Sequence, residues 1–144
     1  MKTIELQHLA PYLPYKLNYF IDFEDGDVAV YEMIGMFTDS GEIYLDGYET
    51  NLDSQNCKPI LRPLSDLTEK VLKDIKKMML VDFEYIDKDG IQSIHFPTGN
   101  ISITSIHYEI VEECPLGFYN YLLKHHFDVF GLIEKGLAID KNTL

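Results

Sequence analysis

Five histidines, two cysteines and twenty-four carboxylates are the side chains with which this 144-residue chain could hold a metal, move a proton or attack an electrophile. Their spacing is the first test. A calcium-binding helix-loop-helix needs oxygen ligands at loop positions one, three and five, glycine at six and glutamate at twelve. With Gly90 sixth, Asp87 and Asp89 fall correctly, but Tyr85 stands first and Phe96 twelfth. With Gly26 sixth, Ile21 stands first and Phe23 third. Both acidic segments therefore read as turns. His125 and His126 are neighbours on a predicted helix, where adjacent side chains diverge by about 100° and do not chelate one ion. No His-x-x-x-His pair occurs. No metal and no other cofactor is expected.

Nucleophilic chemistry has no local signature either. The chain lacks a Gly-x-Ser-x-Gly elbow, a phosphate-cradling glycine loop and a Gly-x-Gly-x-x-Gly turn. Cys114 precedes Pro115 at a predicted helix start, where a thiolate is favoured, but Glu112 and Glu113 beside it oppose that charge. Cys114 reads as a structural, half-buried cysteine. With Cys57 as its only companion, no disulfide scaffold or zinc knuckle can form. An enzyme built on this chain, a small hydrolase or transferase, would have to assemble its site in three dimensions around His95, His107 or His125.

Charge is the more informative signal. The net charge is -12, which opposes any mechanism that neutralises phosphates over the whole surface, so nucleic acid is not an expected partner. Residues 1–56 carry two lysines against eleven carboxylates, whereas residues 57–80 carry six basic groups against three acids. Lys70, Lys73 and Lys77 recur at helical spacing in that basic segment and form a candidate partner-binding face, or else a solvated one. Arg62, the only arginine, sits in an apolar stretch between Pro59 and Pro63. Its planar fork suits a carboxylate, so it is expected to be at least partly buried against an Asp or Glu. The same acidity allows a further reading, a nucleic-acid mimic that presents carboxylates in place of phosphates.

These side chains need elements to position them. Residues 16–23 alternate apolar and polar, with Phe20 breaking the pattern, and predict a half-buried strand. Gly26 turns the chain into a second strand over 28–37, and Asp39-Ser40-Gly41 into a third over 42–46, closed by Gly47. A polar loop is expected over 49–58. Ser65 or Asp66, with Glu69 three residues after Asp66, predicts the start of an amphipathic helix over 65–79. Its apolar stripe is Leu64, Leu67, Val71, Ile75 and Met78, opposite the lysines. Residues 91–96 and 101–110 flank Pro97-Thr98-Gly99-Asn100 as a hairpin, and Asp87-Lys88-Asp89-Gly90 reads as another turn. Pro115 opens a second helix with Leu116, Tyr119, Leu123, Phe127 and Phe130 as its stripe and Gly131 as its stop. Residues 9–15 are expected to be irregular, and the apolar tail 137–139 to dock on the body. The expected class is α+β: a mostly antiparallel sheet, meander plus hairpin, with two principal α-helices packed on it in a single domain spanning 1–144.

At 46% hydrophobic and 25% charged residues the composition is that of a folded globular chain. No window approaches the roughly 20 apolar residues of a membrane helix. Pro11 and Pro14 follow a polar N-terminus, so no signal peptide is expected. The chain is expected in the cytoplasm.

Three longer segments are more distinctive: His8-Leu9-Ala10-Pro11-Tyr12-Leu13-Pro14-Tyr15, Ile60-Leu61-Arg62-Pro63-Leu64-Ser65-Asp66-Leu67, and the run from His126 through Gly131 and Gly136 to Asp140. In this order they resemble a group of uncharacterised small proteins of Bacteroides-type bacteria and their prophages or other mobile elements. The resemblance implies a bacterial, phage-linked setting and transfers no catalytic or ligand residue. Without a catalytic motif, the expected function is a non-enzymatic protein-binding or assembly module. Its partner would be another protein or a second copy of the chain, with Arg62, Lys70, Lys73, Lys77 and His125 as candidate surface or anchor residues.

Overall fold

The alternation read from residues 16–23 makes β1 (Asn18–Asp22), in which Tyr19 and Ile21 are buried while Asn18 and Asp22 are exposed. In the computed structural model, which describes residues 4–37, 39–79, 83–89, 91–96, 99–102 and 116–144, β1 lies inside a six-stranded sheet. Gly26, at φ +91°, closes the turn that leads to β2 (Val28–Met36), and the Phe23 amide donates to the Asp27 carbonyl across it. β3 (Glu42–Leu45) pairs antiparallel with β2 and completes the expected meander.

The expected loop over 49–58 holds for 52–56, but both of its ends are strand. Asp46 and Gly47 form a two-residue turn into β4 (Tyr48–Asn51), and β5 (Cys57–Leu61) returns beside β1. A Cβ on Gly47, which already sits at φ +107°, would approach the Tyr31 ring to 3.1 Å. Polar residues disguised β4 because it is a sheet edge, where only some positions are covered. The tail docks as expected: β9 (Ile139–Asp140) adds to β5, the one parallel pair in the order β4-β3-β2-β1-β5-β9. Residues 9–15 are also more regular than expected. A short helix α1 (Leu6–Leu9) continues as a 3-10 helix over Ala10–Tyr15, in which Pro11 occupies the first turn.

The chain divides into two compact units, Met1–Arg62 with Leu132–Leu144, and Pro63–Gly131. The first is the six-stranded sheet with α1 and the tail. Tyr19, Ile21, Met33, Ile43, Leu45 and Leu61 share one sheet face and are buried there.

In the second unit α2 (Glu69–Met79) begins later than its spacing suggested. Leu64–Asp66 forms a 3-10 turn, and Thr68 caps α2, its Oγ1 accepting from the Val71 amide at 3.4 Å. Leu67, Leu72 and Ile75 are buried, Val71 is half-buried, and Met78 is exposed, so the apolar stripe is rotated from Val71 and Met78 towards Leu72. Lys70, Lys73 and Lys77 are exposed as expected. Val71→Ala is therefore expected to cost about 1 kcal/mol and Lys73→Ala less than about 0.5 kcal/mol, as measured by denaturant unfolding. Equal losses would show that α2 is rotated differently.

The strands β6 (Glu84–Lys88), β7 (Ile91–Phe96) and β8 (Gly99–Ser102) form a second, antiparallel sheet. Phe96 pairs with Gly99, so the connection is two residues long rather than the four expected. The rest of the expected second arm, along with His107, Cys114 and Pro115, lies outside the described residues. Helix α3 (Leu116–Lys124) buries Phe118, Leu122 and Leu123 and ends before the expected stop at Gly131. His126 takes φ +62°, its amide donating to the Leu123 carbonyl and that of Phe127 to the Leu122 carbonyl. That is a Schellman stop with histidine where glycine is usual. Phe127 and Phe130 lie beyond the helix.

Candidate functional site

The sheet of the first unit has a second face, opposite the buried one. Phe20, Val30 and Lys58 form one row across it, Asp22 and Val28 another, Asn18 and Glu32 a third. At β2 the pairing shifts between Met33 and Gly35, a bulge that leaves Ile34 outward while Met33 stays buried. Val28, Val30, Ile34 and the adjoining Phe37 are 59%, 53%, 61% and 54% exposed. Phe37 meets Tyr44 edge-on at 5.2 Å between ring centroids. These five side chains and Phe20 make an open apolar surface on a single sheet.

Its rim is acidic. Asp22, Glu42 and Glu49 fall on this face by register around the apolar residues, Glu32 lies among them between Val30 and Ile34, and Lys58 is the basic group beside them. The Tyr44 hydroxyl donates to Glu42 at 3.0 Å. Partial burial, then that hydrogen bond, then the charges of Glu42 and Glu49 hold the Tyr44 phenol above its ordinary value.

The second unit has a cleft of about 320 Å³ between α2 and the strand that follows it, lined by Glu69, Leu72, Lys73, Lys76, Phe83, Glu84 and Tyr85. Lys73 pairs with Glu69 at 3.5 Å, and both are well exposed. The Lys76 Nζ donates to the Phe83 carbonyl at 2.9 Å and lies 5.7 Å from the centre of the Phe83 ring. Partial burial, then Asp87 and Glu69, raise the Tyr85 phenol. The lining is a mixed-charge wall over Leu72 and Phe83, and among the described residues it contains no histidine.

Of the residues singled out from the sequence, Lys73 lines this cleft, while Lys70 and Lys77 stand exposed on the same helix outside its lining. Arg62 follows β5 and is half-buried. His125 lies in the turn after α3, its ring 4.2 Å from that of Tyr121, and His95 bonds to Ser93 at 3.0 Å. Among the described residues no three His, Cys, Asp or Glu side chains converge as a metal site. Lys76 was missed because, four residues after Leu72, it flanks the apolar stripe rather than opposing it. The open sheet face was missed too, although its signal was present: residues 28–37 are apolar at even and odd positions alike, so each face of that strand asks for cover.

Compared with protein-family models, curated proteins and solved structures, the chain matches none of them. No helix of the described residues is long and apolar enough to cross a membrane.

Proposed function

We propose that this chain is a protein-binding module of the bacterial cytoplasm that works without catalysis, and that the open face of the first unit's sheet is where it binds. One observation carries the reading: Val28, Val30, Ile34 and Phe37 are each more than half exposed and lie together on one sheet face. Large apolar side chains grouped this way on a folded surface mark interaction sites more often than they mark accident. Burying such residues against a partner contributes about 25 cal/mol per Å² of apolar area removed from water.

The test compares the wild-type chain with a Val30→Thr/Ile34→Thr variant as bait in affinity capture, followed by hydrogen exchange on the reconstituted complex. Threonine keeps the β-branched shape that suits a strand. The expected result is a partner that binds the wild-type chain stoichiometrically, protects β2 amides and is lost from the variant, while Lys73→Ala retains it. A partner held equally by both baits, or none that protects β2, overturns the proposal.

A further inference from the structure

If the open sheet face is a binding surface, its chemistry specifies what it binds. We infer that its occupant is a cationic amphipathic helix of another protein, apolar along one stripe and lined by Lys or Arg on both sides. This rests on the function proposed above and goes beyond it by naming the partner's chemistry.

Shape comes first. A single sheet with one bare face is completed by a layer of helix packed on it. From Val28 to Ile34 the exposed strip runs along β2 for about 20 Å at ~3.3 Å per residue. A helix of about 14 residues matches that length at 1.5 Å rise per residue. Its stripe would meet Phe20, Val28, Val30 and Ile34.

Charge then selects among occupants. Asp22, Glu42 and Glu49 flank the apolar strip and Glu32 interrupts it between Val30 and Ile34, with Lys58 as the basic group among them. A second copy docked face to face would set these carboxylates against their own counterparts, where like charges disfavour association. Nor does another copy's α2 supply the partner: it is basic, but Leu72 and Ile75 are buried, and the exposed side carries its lysines. An anionic membrane is repelled by the same rim. A helix with basic flanks meets the carboxylates and the apolar strip together.

The direct test titrates methyl-labelled full-length chain with two synthetic 14-residue helical peptides. They share a leucine stripe at helical spacing and differ only in carrying lysine or glutamate elsewhere. The lysine peptide is expected to shift the methyl signals of Val28, Val30 and Ile34. It should bind at least about tenfold more tightly than the glutamate peptide at low salt, and the preference should shrink as salt is raised. Glu42→Lys/Glu49→Lys should reduce that preference, and Val30→Thr/Ile34→Thr should weaken both peptides. Equal binding of the two peptides, or shifts confined to other surfaces, overturns the inference. So does self-association abolished by Val30→Thr/Ile34→Thr, or binding of anionic phosphatidylserine vesicles through this face. If a natural partner requires β2 yet the peptides bind without preference, the cationic helix is wrong and the binding face stands. If nothing requires β2, the binding face fails as well.

Discussion

Phe118→Ala is expected to destabilise the second unit by about 3–5 kcal/mol. Phe118 is fully buried and stands edge-on to two other buried rings, Phe96 at 5.1 Å and Phe83 at 5.7 Å, which themselves meet at 5.6 Å. The three come from α3, β7 and the segment entering β6, so one side chain ties a helix to the central strand of the sheet and to the segment that leads into one of its edges. Removing it leaves a cavity bounded by two aromatic rings, and rings relax poorly into empty space. Phe118→Leu restores most of the volume but not the edge contacts, and should cost about 1–2 kcal/mol. Denaturant unfolding of the two variants decides the matter. If Phe118→Ala loses less than about 1 kcal/mol, the ring cluster is not the centre of this unit.

Alkaline pH should destabilise the first unit, and Tyr19 should account for much of the loss. Tyr19 is 1% exposed on the buried face of β1. Burial first, and the nearby Cys57 thiol second, push its phenol well above the ordinary value of 10.0. The unfolded chain therefore gives up this proton near pH 10 while the folded chain keeps it. The stabilisation is complete below about pH 10 and declines as pH rises, by about 1.4 kcal/mol per pH unit for this one group. Unfolding at pH 9, 10 and 11 should show a shallower decline for Tyr19→Phe than for the wild-type chain. Tyr44→Phe should change the slope far less, because the Tyr44 phenol is at the surface, where solvent screens its surroundings. Parallel declines for the wild-type chain and Tyr19→Phe would remove Tyr19 from the explanation.

Both effects depend on packing that no local pattern announces, and the same division runs through the fold. The meander was legible because Gly26 and Gly47 punctuate strands whose sides alternate, and alternation is a local consequence of the pleat. The exposed lysines of α2 were legible because a charged group stays in water wherever the helix ends. The phase of its apolar stripe was off, since Val71, Leu72, Ile75 and Met78 permit two neighbouring rotations, and only the layer beneath selects one. The early end of α3 was hidden for a related reason. His126 is an improbable residue for a left-handed position, and it is held there by the hydrogen bonds of its own helix end rather than by its propensity.

The candidate site divides along the same line. Composition and charge along the chain were enough to establish an acidic first half, a basic stretch around α2 and the absence of any catalytic motif, because these are sums over residues or fixed spacings. That β4 and β5 are strands, that β5 crosses to lie beside β1, and that the tail pairs with β5 depended on contacts between residues far apart in the chain, such as Tyr19 with Pro59 and Ile60 with Ile139. So did the exposure of Val28, Val30, Ile34 and Phe37. An apolar strand records that each of its faces can be buried, but which face receives a covering layer is settled by where the rest of the chain packs.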